Sequence, residues 1–214
     1  MAVALEAATL STVAAWDDSA GGFEVSAVEL TGELPDRFDG RLLVTESRIG
    51  PARVVGAALD GSRLVDVVIT ASDLSGVDLE DASLTRVEIR DCRLSGAQFA
   101  QARLRDVRFV DCRLDGATFR FVRGERVRFE RCRLDGAEFI GATFEAVAWW
   151  DCDLSDADVS QIAATRAQIH GSTIAGLRGA MSLVPVAIDE MQAPVFADHV
   201  LAALGITIGE PDPS

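Results

Sequence analysis

A large apolar residue recurs at every fifth position through the middle of the chain. The stretch from Asp91 to Phe119 shows this most clearly, with Leu or Phe at positions 94, 99, 104, 109, 114 and 119. An α-helix advances about 100° per residue, so every fifth position drifts around it and defines no face. In a flat strand, positions five apart point to opposite faces. All these residues can point inward only if the chain turns a corner in each unit, and four corners close a square coil of twenty residues.

Two further counts support this coil. Cys92, Cys112, Cys132 and Cys152 are spaced by twenty residues throughout. Stepping by five from residue 49 to residue 174 visits 26 positions, and all but two, at 124 and 164, hold Ile, Leu, Val, Phe or Trp. The residue two before each is small or apolar, which predicts two inward side chains on every side of the coil.

At the level of single units the sequence resembles the pentapeptide repeat family, in which a small residue, a polar one and then Leu or Phe begin each unit. The units that begin at Ala117, Ala137 and Ala157 illustrate the match. The resemblance covers about 130 residues and implies an all-β fold, a right-handed quadrilateral β-helix. Adjacent coils then satisfy one another's backbone groups, so only the two ends need caps.

The repeat divides the chain into three segments. Residues 49–178 form the predicted β-helix, and residues 1–48 are predicted to be a degenerate coil and cap, in which "TGELPDRFDG" suggests turns. Residues 179–214 form a capping or dimerisation segment. In it Pro194 and Gly205 bound a predicted short helix over 194–204, and the last residues, "EPDPS", are predicted to be mobile.

The C-terminal segment carries an apolar stripe on the predicted helix. The segment resembles the tail through which gyrase-interacting members of the family dimerise head to head, which implies a homodimer. The alternative is a cap that packs on the last coil of a monomer. The predicted dimerisation residues are Val195, Phe196, Val200, Leu201 and Leu204.

Composition limits the classes of partner. The formal net charge is −14, and all twenty basic residues are Arg, so direct nucleic-acid binding is not expected. The chain has no run of 18 apolar residues and no positively charged N-terminal region, which predicts neither a membrane span nor a signal peptide. These features and the unpaired cysteine pattern favour the cytoplasm.

No catalytic, metal or cofactor motif is recognisable. The four cysteines lie one per coil, whereas a zinc site needs ligands that converge on one point, so we interpret them as buried packing residues. His170 is predicted to lie on the outside of the coil and His199 on the C-terminal helix, neither with a nucleophile at catalytic spacing. The sequence therefore predicts a non-enzymatic protein without a metal or cofactor.

Charge is distributed unevenly around the predicted coil. Residues 49–178 contain 20 acidic and 17 basic residues, whereas duplex DNA carries one negative charge per roughly 1.7 Å. The rod as a whole therefore does not match DNA in charge. Two adjacent sides, formed by residues 72–81 and their equivalents in the next four coils, nevertheless contain ten acids and only four arginines. The opposite two sides contain eight acids and ten arginines. Some of this pattern is expected to be structural, through pairs between coils.

The resemblance implies a function for the acidic half. Members of the gyrase-inhibiting and quinolone-protecting type are similar to B-DNA in width and acidity and occupy the DNA-binding surface of gyrase. No loop interrupts the register here, which matches the loop-free mycobacterial type. The implied function is DNA-mimic binding to DNA gyrase or another topoisomerase, with an effect on antibiotic resistance. The predicted contact residues are Asp135, Glu138, Asp153, Asp156, Asp158 and Trp150.

Two alternatives remain open from the sequence. The exposed Trp150 either anchors a partner or lies over neighbouring side chains. The protein as a whole could instead be an interaction scaffold for another cytoplasmic protein, using Trp150 or the arginine-rich sides.

Overall fold

The computed structural model describes residues 11–13, 22–33 and 40–206. Within them, twelve strands form one sheet whose pairings are all parallel, as a coil that stacks on itself requires. The strands are β1 (Ser11–Val13), β2 (Gly22–Ser26), β3 (Val28–Glu33), β4 (Arg41–Thr45), β5 (Arg48–Arg53), β6 (Arg63–Thr70), β7 (Ser83–Arg90), β8 (Arg103–Val110), β9 (Arg123–Glu130), β10 (Thr143–Trp150), β11 (Ala163–His170) and β12 (Val186–Ile188). The fold is a right-handed quadrilateral β-helix, which confirms the predicted fold class.

Each coil has four sides of five residues, which we name by what they contain. In the coil of β8 these are the cysteine side (92–96), the phenylalanine side (97–101), the arginine side (102–106) and the tryptophan side (107–111). Equivalent sides recur every twenty residues. Strands β6–β11 each run along the arginine and tryptophan sides, whereas the other two sides pair through single bridges, for example Asp73 with Arg93.

The corners explain why a period of five closes a square. The last residue of most units has a positive φ, as Gly96 (67°) and Asp106 (55°) do. This left-handed conformation is open to glycine and tolerated by aspartate. Arg86 and Arg126 also adopt it, at 52°, so the repeated stacking of coils determines the corner even where the residue does not favour it.

The core is the column of inward residues that the register predicts. Every position from Ile49 to Ile174 in steps of five is buried except Ala164, which is half-buried. On the phenylalanine side the rings of Phe99, Phe119 and Phe139 stack with centroids 4.9 Å apart. Phe109 and Phe129 stack at the same distance on the tryptophan side. The ring spacing equals the strand spacing of about 4.8 Å, so one residue type at one position builds a continuous ladder.

The N-terminal coils are less regular but remain part of the sheet. β2 pairs with β4, and β3 pairs with β5 with a register shift between Leu30 and Gly32. Thr31–Glu33, which the sequence suggested as turn, therefore lies in a strand, because pairing with β5 satisfies its backbone groups. Residues 34–39 of that predicted turn lie outside the described residues, and Gly40, its last residue, forms a bend. The segment boundaries at 48 and 178 stay predictions.

The C-terminal segment closes the coil. After a 3-10 turn (Ala180–Leu183), helix α1 spans Ala193–Ala203, one residue earlier than predicted. Pro194 lies in its first turn, and Gly205, at φ 73°, ends it in the left-handed conformation expected of a C-cap glycine. The final eight residues, which include the tail predicted to be mobile, lie outside the described part of the chain.

No helix among the described residues is long and apolar enough to cross a membrane.

Candidate functional site

The five predicted acidic contact residues lie along one edge of the rod. Asp135, Asp153 and Asp156 belong to the cysteine side, and Glu138 and Asp158 to the adjoining phenylalanine side, in two consecutive coils near the C-terminal end. Glu138 and Asp158 are bridge partners on adjacent coils, so their side chains project from the surface one strand spacing apart. We call these five residues the acidic edge.

Three of the five carboxylates have an arginine nearby. Asp158 Oδ2 accepts a hydrogen bond from Arg178 Nε at 3.1 Å. The other two ion pairs are looser: Asp135 with Arg133 at 3.6 Å, and Glu138 with Arg120 at 3.9 Å. The arginine side chains are about half exposed, from 47% for Arg120 to 57% for Arg178. Exposed pairs of this kind stabilise by about 0–1 kcal/mol, so they partly neutralise the edge without fixing it.

Two members of the acidic edge also hold the backbone turn that follows them. Asp153 Oδ1 accepts hydrogen bonds from the Ser155 backbone N–H (3.1 Å) and hydroxyl (2.6 Å). Asp158 Oδ1 accepts one from the Ser160 N–H at 2.9 Å. Burial alone would raise the pKa of Asp158, but the bonds from Ser160 and Arg178 outweigh it, and the pKa is lower than that of a free aspartate. Aspartate two residues before serine is a turn signal that the charge count had not used.

Asp156 differs from the others in its position. It occupies a corner with φ 56°, and its exposed side chain has no ion pair within 4.0 Å among the described residues. Its carboxylate extends over the next coil, because a Cβ at Gly176 would overlap Asp156 Oδ1. Asp156 is thus the member of the edge whose charge is least engaged within the chain.

Trp150 does not belong to this edge. It lies on the tryptophan side, in register between Glu130 and His170, as their spacing of twenty residues requires. The guanidinium carbon of Arg128 sits 4.1 Å from the centroid of the Trp150 ring, a distance at which a cation–π contact is favourable. The half-buried ring therefore has a partner within the chain, on the side of the coil that adjoins the cysteine side.

The tryptophan side carries an ion-pair network that the sequence analysis missed. Glu88 is only 3% exposed although it belongs to an outward column. It contacts Arg90 and Arg108, and Arg108 also binds Glu130 at 3.0 Å. Arg128 contacts both Glu130 and Trp150 and so extends the ion-pair network to the tryptophan. The spacing of two, twenty or twenty-two residues between these partners is the signal that could have revealed the network.

The cysteine column is a structural ladder. All four cysteines are free and buried, and each Sγ lies 3.1–3.4 Å from the carbonyl oxygen two residues earlier. Ser72 and Ser172 continue the same column, and their hydroxyls donate the same bond. The thiol therefore replaces a hydroxyl at a corner that needs one weak donor. Within the described residues no group of three or more His, Cys, Asp or Glu converges to hold a metal ion.

The predicted dimerisation residues differ in exposure, and two of them, Val200 and Leu201, are half-buried. Phe196 is 8% exposed and belongs to the chain's own core, with Val200 packed against it. Val195 and Leu204 are 44% and 58% exposed. His199 strengthens the contact of α1 with the last coil, because its Nε2–H donates to the carbonyl oxygen of Ile174 at 2.7 Å. One face of α1 is thus a cap, while Val195 in the first turn and Leu204 at the C-cap remain exposed.

Solved structures with similar coils include a trypsin-treated variant of QnrB1, a plasmid-mediated fluoroquinolone resistance protein. It is 19% identical, with 94% of this chain and 100% of that chain covered and a TM-score of 0.45. HetL, a pentapeptide repeat protein involved in heterocyst differentiation regulation from the cyanobacterium Nostoc sp. strain PCC 7120, is 18% identical, with 77% and 86% covered and a TM-score of 0.27. Sequence identities and TM-scores as low as these carry no information about what this chain binds. No curated protein matches the sequence.

A family model gives the decisive match. The model described as "Pentapeptide repeat region" matches residues 52–119 and 106–178. Together the two matches span more than half of the chain and coincide with the regular coils between β5 and the 3-10 turn. A sequence whose five-residue units match this model and whose units form the four sides of a β-helix belongs to the pentapeptide repeat family.

Proposed function

We propose that this protein is a non-enzymatic binding protein that engages DNA gyrase, or another topoisomerase, in competition with DNA. Its effect would be to modulate the enzyme or to protect it from poisons such as quinolones. The resemblance to gyrase-inhibiting members of the family motivates the partner, and the acidic edge supplies the contact surface. Trp150 flanks that surface on another side of the rod and is a secondary candidate.

The local charge density of the acidic edge carries this proposal. Residues 132–141 and 152–161 hold five acids and one arginine, and the two coils occupy about 9.6 Å of rod, at about 4.8 Å per strand spacing. Duplex DNA presents about five or six negative charges over the same length, at one per roughly 1.7 Å. The net charge of these residues, −4 from five acids and one arginine, is about 70% of that of DNA over the same short length, although the rod as a whole falls far below it.

A gyrase supercoiling assay with the purified protein, with and without a quinolone, tests this function. We expect inhibition of supercoiling or protection from the quinolone, and the double variant Glu138→Arg, Asp156→Arg should require at least about tenfold more protein for the same effect. Loss of charge complementarity at an interface commonly costs 1.4 kcal/mol or more, which is tenfold in affinity. These two positions are chosen because Asp153 and Asp158 hold turns, and because arginine already occupies equivalent corners at 86 and 126.

The matched control is Asp60→Arg, Asp81→Arg. It makes the same change in net charge on the phenylalanine side at the other end of the rod, and Asp81 occupies the same kind of corner, with φ 55°. We expect its effect on gyrase to differ less than about twofold from that of the unmodified protein. An equal loss in both variants would mean that total charge, not the acidic edge, determines the effect. No effect of the unmodified protein at tens of micromolar would refute gyrase as the partner.

The proposed assembly is a homodimer, in which two copies of the chain contact each other through their C-terminal ends. This rests on the resemblance of the tail and on the apolar side chains exposed there, which include Val184 and Met191 at 60% and 88%. Because Phe196 is buried within the monomer, a variant at that position would disturb the cap as well as any dimer. The exposed residues Val195 and Leu204 are the better probes.

Light scattering on Val195→Asp, Leu204→Asp tests the dimer. We expect the unmodified protein to have twice the monomer mass and the variant to have the monomer mass, because two carboxylates would be buried without partners in the contact. Val55→Asp is a matched control, since Val55 is also 44% exposed but lies in an N-terminal coil. A variant and a control that both keep the mass of the unmodified protein would contradict this interface.

A further inference from the structure

A groove runs along the arginine side, parallel to the rod axis. Its two walls are columns of outward side chains, Arg103 and Arg123 on one wall and Arg105, Glu125 and Glu145 on the other. The backbone at Gly124 forms part of the floor, and the groove has a volume of about 440 Å³. Cavities of about 300–1,000 Å³ accommodate small ligands or single side chains of a partner. The groove is therefore large enough to hold one or more acidic side chains.

The two walls differ in their free charge. Arg105 lies 3.3 Å from Glu125 and 4.0 Å from Asp106, so its charge is balanced within the chain. Arg103 and Arg123 are exposed register partners on adjacent strands. Neither has a carboxylate within 4.0 Å among the described residues, in contrast to Arg86 and Arg126 on the same side. Like charges on neighbouring strands repel, and an anion placed between them relieves that repulsion.

Hydroxyl groups extend the unbalanced wall at both ends. Ser83 precedes Arg103 in the column, and Thr143 follows Arg123, each as a register partner. Both line the groove. The column thus presents four consecutive side chains that can donate hydrogen bonds and contains no carboxylate. Arginine stays charged at every relevant pH and matches a carboxylate in a bidentate geometry.

We propose that this groove binds an acidic segment of a protein partner, with a carboxylate held between the guanidinium groups of Arg103 and Arg123. The composition of the arginine side supports a local anion site. Between residues 62 and 166 this side contains seven arginines and only four acids. The site lies opposite the cysteine side, so it is separate from the acidic edge and does not depend on the gyrase proposal.

The overall charge of the protein favours a peptide over a nucleic acid as the occupant. A nucleic acid carries charge along its whole length and would meet the field of a chain whose net charge is −14. An acidic side chain concentrates its charge at one point and can place it between the two arginines, with neutral or basic neighbours of the partner segment outside the groove.

Fluorescence anisotropy at low ionic strength tests the site, with a fluorescein-labelled peptide in which two glutamates are flanked by serine and glycine. We expect saturable binding, which Arg103→Gln, Arg123→Gln weakens at least about tenfold, because two charge-assisted hydrogen-bonding groups are removed. The matched control is Arg93→Gln, Arg113→Gln. These two residues are also exposed bridge partners on adjacent coils, with no ion pair within the described part of the chain, but they lie on the cysteine side near acids. The control should change the affinity less than about twofold.

Three outcomes would overturn the proposal. The first is the absence of saturable binding of the peptide by the unmodified protein up to about millimolar concentration, the weak limit of specific recognition. The second is an equal loss in both arginine pairs, which would indicate a response to net charge alone. The third is tighter binding of a thymidine octanucleotide than of the peptide, which would identify the groove as a nucleic-acid site. Circular dichroism of each variant establishes that the coil is intact, and the gyrase assay on the same proteins keeps this result separate from the proposed function.

Discussion

Replacement of Phe119 by alanine should lower the free energy of unfolding by about 3–5 kcal/mol, the range for truncation of a fully buried phenylalanine. Phe119 is fully buried, and its ring is stacked between Phe99 and Phe139 at 4.9 Å on each side. It also makes edge contacts with Phe109 and Phe129, at 5.9 and 5.4 Å. The stacked coils hold the neighbouring rings at the strand spacing, so they cannot collapse into the cavity.

Phe121→Ala is the control for this experiment. Phe121 is two residues away on the same side but 54% exposed, with its ring lying over Gly141. Its loss should cost no more than about 1 kcal/mol, since half of the ring already contacts water. Urea unfolding followed by circular dichroism measures both variants, with the difference in midpoint as the readout. Similar costs for the two variants would contradict the inward placement of the five-residue register.

The fold was predictable because one geometric requirement repeats many times. Few folds can bury every residue of a five-residue period in which small and large inward residues alternate. Each of the 26 register positions indicates the same fold. The arginines at 93, 113 and 133, spaced by twenty residues, form a column of consecutive bridges between Asp73 and Asp153. The register therefore predicts which residues are neighbours across coils as well as which residues face inward.

The ends were less predictable because the register changes there. Val28 pairs with Ser11, seventeen residues earlier, while Leu43 pairs with Arg63, twenty residues later. A fixed period cannot describe strands whose spacing varies in this way. Backbone pairing still places them in the sheet, since hydrogen bonds between parallel strands depend little on side-chain type.

At the candidate site, the sequence predicted positions better than roles. The acids of the edge lie in the columns where the count placed them, but charge counting cannot distinguish a free carboxylate from one that holds a turn. Asp153 is bonded to Ser155, whereas Asp156 is unpaired within the described residues. Trp150 was correctly placed facing outward, yet its contact with Arg128 depends on side-chain conformations that a period does not determine.

Replacement of Gly124 by leucine should destabilise the protein by about 1–3 kcal/mol or more, the usual cost of overpacking a core. The repeat pattern alone predicts the opposite, because Leu64, Leu84 and Leu104 precede Gly124 in the same inward column. In the structure the ring of Phe144, its register partner, fills the vacant volume. A Cβ at Gly124 would lie 2.5 Å from Phe144 Cε1 and 2.9 Å from Val127 Cγ2.

The pair can be tested as a unit by a double-mutant cycle. Phe144→Leu alone should leave a cavity, since Gly124 on one side and the half-buried Ala164 on the other are too small to fill it. In the Gly124→Leu background the same change should restore stability, because the shorter side chain withdraws from the new leucine. Urea unfolding of the four proteins measures the interaction energy, which we expect at about 0.5–3 kcal/mol for residues in contact. Additive effects would mean that the two residues do not share one volume, and that the break in the register at 124 has another cause.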